Sequence, residues 1–242
     1  MTLIIAFKCR NGIVVASDGQ ATALSSGGPV RQKIQKIFQL GSNVIFGASG
    51  SVGTMQKCRD LIKGYCEELS KGLTLKVREE IRQNLFKIMK TEADRHKAFH
   101  GDTKGAPLAD ILIVIYEPDG RYRIWHVAPD CSDELLDELG YACSGIGDTF
   151  AYTLLKNYYS SDMEIEKGKL VAYRVIKDAI DVGAYGLGEP IDIWTMKVTN
   201  GNIEITQLSD SEIMALSDAY MAWKEAEKAV LKGLNLESTR SS

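Results

Sequence analysis

Three residues near the start of the chain have the types and spacing to perform acyl transfer. Thr2 stands directly behind the initiator methionine, so removal of Met1 leaves one residue carrying both a hydroxyl and a free α-amine. An α-amine titrates near pH ~8, far below a lysine side chain, and can take the hydroxyl proton at cellular pH without a histidine. Position two alone more often does no more than start a β-strand. Lys36 opens an otherwise apolar stretch of Ile37, Phe38 and Leu40. A buried ammonium beside the threonine hydroxyl would favour its alkoxide, although an ordinary strand-edge lysine fits the pattern equally well. Asp18 closes the apolar run that begins at Ile13. It can hold Lys36 charged and aimed, because a desolvated ammonium without a partner loses its proton; an Asp before Gly19 is also a common turn former.

No other constellation competes with this one. The five cysteines are scattered without a Cys-x-x-Cys pair and read as reduced thiols. His96 and His100, four apart, read as a pair at a helix end rather than as metal ligands, and His126 has no evident partner. No metal or cofactor is expected. The net charge of −3 comes from charges of both signs with no basic stripe, which argues against a nucleic-acid partner. No apolar run approaches the ~20 residues of a membrane span, and no basic region precedes an apolar stretch at the start, so a cytoplasmic protein is expected.

Elements that would position these residues follow from periodicity. Strands at 2 to 9 and 13 to 18 join across Asn11-Gly12, read as a type I′ turn. A polar Gly/Ser loop from Ala23 to Val30 leads to strands Lys36 to Leu40 and Val44 to Ala48. The period then lengthens to that of helices, with Met55, Cys58, Leu61, Ile62 and Tyr65 on one face and Val77, Ile81, Leu85, Ile88 and Met89 on another. The segment Lys97 to Pro107 breaks the pattern before a hairpin, Ile111 to Tyr116 and Tyr122 to Val127, across Asp119-Gly120. Strand Tyr141 to Cys143 turns at Gly145 to Asp148 into a helix near Thr149, a second helix follows near Gly168, and Ile191 to Val198 pairs with Ile203 to Gln207 across Asn200-Gly201. Ser209 and Glu212 form a capping box for a last helix reaching about Leu234, with a frayed tail from Glu237 to Ser242. Hairpins separated by helix pairs cannot form a parallel doubly wound sheet. Two antiparallel sheets packed face to face, each covered by helices, bury every apolar face, and the expected fold is an α+β, four-layer αββα sandwich. The expected organisation is one domain over residues 1–208 and a helical extension with tail over 209–242.

The N-terminal Thr strand, the run Asp18-Gly19-Gln20-Ala21-Thr22, the strand start at Lys36 and the turn from Gly47 to Gly50 resemble proteasome β-type subunits and their simpler bacterial relative, the heat-shock-locus V peptidase. Both are N-terminal nucleophile hydrolases. The resemblance covers residues 2 to 208 in element order and is sharp in residues 2 to 50. It implies a catalytic set of Thr2, Asp18 and Lys36, with the Gly47 N–H facing the oxyanion and with Ala21 and Ile45 against the substrate. A branched aliphatic at Ile45 suggests that an apolar side chain is accepted before the cut bond. It further implies a threonine peptidase enclosed in a homo-oligomeric, stacked ring, acting on unfolded polypeptides, with a ring ATPase as a partner. Two departures stand out. The family's Gly-Ser-Gly turn, whose serine supports the Thr amine, reads Gly145-Ile146-Gly147 here, leaving Ser144 or Asp148 as substitutes. The family's Asp-x-x-Ser-Gly segment reads Gly183 to Leu187, with Asp181 the nearest acid. A non-catalytic ring subunit and a small-molecule amidase of the same fold are therefore the alternatives.

Overall fold

Each of the first two strands buries both faces, which is why Leu3 to Phe7 and Ile13 to Ala16 are nearly continuous apolar runs rather than alternating ones. The computed structural model describes residues 2–25, 28–183 and 186–234. In chain order the elements are β1 (Leu3–Cys9), β2 (Gly12–Asp18), β3 (Gln20–Ser25), β4 (Gly28–Lys33), β5 (Ile37–Gln39), β6 (Val44–Gly50), α1 (Val52–Gly64), α2 (Cys66–Ser70), α3 (Leu75–His100), β7 (Ala109–Tyr116), β8 (Tyr122–Val127), β9 (Asp133–Leu135), β10 (Tyr141–Gly145), α4 (Asp148–Tyr158), α5 (Ile165–Val182), β11 (Ile191–Thr199), β12 (Asn202–Gln207) and α6 (Asp210–Gly233).

Two five-stranded sheets form, ordered β10-β1-β2-β11-β12 and β5-β6-β7-β8-β9, and the pairs within them are antiparallel. Strand parity sorts the side chains into three cores. Leu3, Ile5, Phe7, Val14 and Ala16 pack with Ala151, Leu155, Ala172 and Ile176 of α4 and α5. Val44, Phe46, Ala48, Ile111 and Ile113 pack with Met55, Cys58, Ile81 and Leu85 of α1 and α3. Ile4, Ala6, Ile13, Val15, Ile37, Ile45 and Leu112 fill the space between the sheets. Helices, sheet, sheet, helices is the expected αββα order. No helix among the described residues is long and apolar enough to cross a membrane.

Three local readings change. Residues 23 to 30 are not a plain loop: β3 and β4 make a two-stranded ribbon, pairing Ala21 with Gln32 and Ser25 with Gly28, while Ser26 and Gly27 lie outside the described residues. The first hairpin turns on Arg10 and Asn11, because Cys9 pairs with Gly12. Neither turn residue has a positive φ, so the turn is not type I′; the Asn11 side chain instead accepts the Ile165 N–H at 2.9 Å. The Asn200-Gly201 turn does have two left-handed residues, at φ 52° and 79°. Finally, α3 runs on to His100, where Gly101 at φ 85° ends it, and the His96 and His100 rings lie 4.3 Å apart. The tail from Glu237 lies outside the described residues.

His126 does have partners. Its Nε2 lies 2.6 Å from Asp110 Oδ1 and its Nδ1 3.5 Å from Glu134 Oε1. Burial lowers its pKa, but the two carboxylates outweigh that and leave it raised. A raised folded-state pKa stabilises fully below the unfolded value of about 6.5 and is lost as pH rises through the folded value. The melting temperature of the wild type should therefore exceed that of His126→Gln most at about pH 5.5 and converge with it by about pH 9.

The capping box of Ser209 and Glu212 is present, and α6 is fastened to α5 by Arg174. That guanidinium is bidentate to Glu227 at 2.6 and 2.9 Å and is sandwiched by Tyr158 and Trp223, with centroids 4.3 and 4.1 Å away. Stacking and a fork pair together make arginine the residue that suits this position. Arg174→Ala should cost about 2 kcal/mol in denaturant unfolding, and limited proteolysis should then release α6 before the rest of the chain; an unchanged digestion pattern would show that the clasp does not hold it.

Candidate active site

The site lies where strand ends of both sheets meet. Thr2 immediately precedes β1, is 6% exposed, and accepts the Ile146 N–H on its carbonyl oxygen at 3.0 Å. Gly145 must be glycine here: its φ is 101°, and a Cβ would fall on the Thr2 carbonyl oxygen. The next residue, Leu3, donates its N–H to Asp18 Oδ1 at 2.9 Å. Thr2 is thus held by its backbone from both sides.

Asp18, fully buried at the end of β2, accepts from four donors. Leu3 N–H and Lys36 Nζ, the latter at 2.6 Å, share Oδ1, while the N–H groups of Gln20 and Gly188 reach Oδ2 at 3.2 Å each. Lys36, 1% exposed, also donates to the Gln20 carbonyl at 2.7 Å. Burial pushes the Lys36 ammonium below its ordinary value, and the adjacent Asp18 charge opposes that shift. The structure therefore brings Thr2, Asp18 and Lys36 to one place, and the lysine is a buried group rather than a strand-edge one. Gly188 completes the seat: its carbonyl accepts the Gly19 N–H at 3.0 Å, and a Cβ on it would run into the Gln20 side chain.

Gly47 does not face the reacting position. Ala48 N–H bonds the Lys36 carbonyl at 3.3 Å on the β5 side of β6, whereas Ser51 N–H bonds the Leu108 carbonyl at 2.9 Å on the β7 side. Peptide groups alternate along an antiparallel strand, so the Gly47 N–H belongs to the ladder opposite Leu112. Gly50 is turned the other way, beyond the start of β5. The residue that would oppose it, Ile34, gives its own N–H to Gly19. Alternation thus directs the Gly50 N–H past the start of β5, away from the β7 ladder, and its φ of 107° and the Leu108 carbonyl oxygen, onto which a Cβ would fall, admit only glycine.

Ile45 is likewise displaced from its expected role: it is fully buried between the sheets with Ile37 and Val114. Ala21 pairs with Gln32, and because Ile34 N–H bonds the Gly19 carbonyl, alternation directs the Ala21 peptide groups into the ribbon and those of Gln20 and Thr22 away from it. An apolar cleft of about 150 Å³ opens instead between β5, β6 and α1, with Phe38, Phe46, Val52 and Met55 as its walls and Ile34 at its edge. Phe38 pairs with Phe46, one step of the same face along from Lys36 and Ala48, so the cleft adjoins the buried lysine. Sequence reading missed the cleft because its residues come from three elements, and it missed Gly50 because both glycines of the turn satisfy the same motif.

Among the described residues, neither Ser144 nor Asp148, the expected substitutes for the missing serine, nor Asp181, the acid nearest the second departure, hydrogen-bonds Thr2. The Ile146 side chain is 51% exposed. Asp148 bonds the N–H and hydroxyl of Thr149 in the first turn of α4, Ser144 meets Ser49 at 3.3 Å, and Asp181 faces Lys177 and Tyr220. Of the segment Gly183 to Leu187, Ala184 and Tyr185 lie outside the described residues. No group of three or more potential metal ligands occurs among the described residues.

Comparison with known proteins places these features in context. Residues 2–195 match the family described as Proteasome subunit. Proteasome subunit beta of Methanococcus vannielii is 24% identical over 213 residues, spanning 88% of this chain and 89% of the relative. Proteasome subunit beta 1 of Thermococcus kodakarensis is 21% identical over 231 residues, spanning 93% and 94%. Among solved structures, a Gly-1 mutant of Anbu from Hyphomicrobium sp. strain MC1 superposes with a TM-score of 0.71 over 97% of this chain and 98% of that one; at 14% identity the likeness shows the fold alone.

Because Lys36 is the cation at Asp18, Lys36→Met should leave a buried carboxylate unpaired and cost about 3 kcal/mol of stability. In a double-mutant cycle with Asp18→Asn, the double variant should lose clearly less in denaturant titrations than the sum of the two single losses, whereas strictly additive losses would show that the pair carries no mutual dependence.

Proposed function

The chain belongs to the proteasome subunit family, and on that footing we propose that it is a threonine-type endopeptidase with Thr2 as nucleophile. The observation that carries this reading is the buried Lys36–Asp18 pair directly beneath the Thr2–Leu3 peptide. With Met1 removed, the Thr2 amine takes the hydroxyl proton, and the nearby ammonium favours the alkoxide. The oxygen attacks a peptide carbonyl, and the oxyanion that forms takes a hydrogen bond from the Gly50 N–H. Collapse breaks the C–N bond, the ammonium of Thr2 returns its proton to the leaving amine, and an ester remains on Thr2. Water then hydrolyses that ester with the same amine as base.

The apolar cleft accounts for the residue on the acyl side of the cut bond. Phe38, Phe46, Val52 and Met55 offer it apolar surface, and Gln35, Gln56 and Arg59, the last 4.8 Å over the Phe38 ring, complete the lining. Unfolded polypeptides are the fitting substrates, since an extended chain can present its backbone to Gly50 and Thr22 while one side chain enters the cleft. Enclosure of the site in a homo-oligomeric, stacked ring, fed by a ring ATPase, belongs to the same reading.

A second reading, a non-catalytic ring subunit, is favoured by one observation: Ile146 supplies only a backbone N–H where a hydroxyl would support the Thr2 amine. Intact mass and turnover separate the two. Material lacking Met1 should hydrolyse fluorogenic peptides ending in leucine or phenylalanine at least about tenfold faster, in kcat/KM, than lysine analogues, which the apolar walls and Arg59 both disfavour, a ratio within what an apolar pocket supplies. Thr2→Ala should abolish the activity. Equal hydrolysis by wild type and Thr2→Ala, or retention of Met1 in the native protein, would overturn the peptidase reading.

A further inference from the structure

The two sheets meet beside Thr2 through a second polar contact on the opposite flank from Lys36 and Asp18. Ser49 Oγ, from β6, lies 3.3 Å from Ser144 Oγ, from β10. Ser49 and Ser144 are 4% and 0% exposed, so each hydroxyl is the other's means of avoiding an unsatisfied buried group. Their neighbours are the parts of the proposed site that need to be registered against each other. Ser49 precedes Gly50, and Ser144 precedes Gly145 and Ile146, which clamp the Thr2 carbonyl. Packing leaves little slack: a Cβ on Gly145 would lie 3.3 Å from the Ser49 Cβ.

We infer that the Ser49–Ser144 hydroxyl pair is a positioning device that fixes the distance between the Thr2 nucleophile and the oxyanion donor Gly50. This inference rests on the peptidase reading above. Thr2 and Gly50 belong to different sheets, and hydrogen-bond ladders within each sheet cannot set their separation. Thr2 itself is tied through backbone groups to Ile146 on one side and, by way of Leu3, to Asp18 on the other. Lys36 registers the sheets on the Asp18 flank, through Asp18 and Gln20. On the Ile146 flank the serine contact performs that task, and it does so in a chain whose turn residue 146 carries no hydroxyl. Neither serine touches the reacting atoms, so both act through the strand ends they join.

Stability and turnover respond differently to such a pair, and that difference is the test. Ser49→Ala, Ser144→Ala and the double variant are compared with wild type and Thr2→Ala for thermal stability, kcat and KM on one leucine peptide. Each single variant strands a buried hydroxyl and should melt lower, while the double variant should regain much of that loss. Turnover should not recover: kcat should fall about tenfold in all three variants, less than the ~10²-fold of a 1 Å misplacement, with KM within about a factor of two. If kcat stays at the wild-type value in the variants, or follows the melting temperature back up in the double variant, the pair is merely structural and the inference fails. If wild type is no more active than Thr2→Ala, the peptidase reading itself has failed and takes this inference with it.

Discussion

A lysine ammonium and an aspartate carboxylate, both removed from water, face each other at 2.6 Å between two sheets. An isolated buried charge is costly, and a bare ion pair seldom repays its desolvation. Here the cost is met by further hydrogen bonds: three backbone N–H groups complete Asp18, and the Gln20 carbonyl serves Lys36. Each of those partners belongs to a segment that had to be brought there, namely the start of β1, the start of β3 and the approach to β11. The sandwich can therefore be read as a frame that delivers backbone groups to one carboxylate. What the pair contributes is chiefly geometry, since it holds Thr2 through Leu3 and simultaneously docks the strand-to-ribbon junction.

Much of this frame was legible in the residues. Strands buried on both faces announce themselves as unbroken apolar runs, and Leu3 to Phe7, Ile13 to Ala16 and Ile111 to Ile115 are such runs. Helices with apolar residues every third or fourth position were equally plain. The β3 and β4 ribbon was not, because Gly, Ser and Pro dominate a segment whose pairing is to itself and whose apolar content is slight. His126 escaped for another reason: Asp110 and Glu134 lie on neighbouring strands, so cross-strand register and not local spacing makes them its partners.

Within the site, sequence located the ionic pair and mislocated the donors. Lys36 and Asp18 can be found because a charged residue bordering an apolar run calls for an explanation. Gly47, Ile45 and Ala21 were each assigned by position in a motif, and each was decided by parity. A shift of one residue in a strand reverses both the direction of the peptide N–H and the face of the side chain. Gly50, Phe38 and Val52 become visible only once the ladder on both sides of β6 is known. The two departures differ in kind: the first removes a hydroxyl at Ile146, whereas the second ends just before Gly188, whose own N–H reaches Asp18.

The bond from Gly188 to Asp18 joins residues 170 apart in the chain. A ribosome must release the polypeptide as far as Gly188 before that carboxylate can acquire its full set of partners. The seat beneath the second residue is therefore finished late in synthesis, after the strands that enclose it have been made.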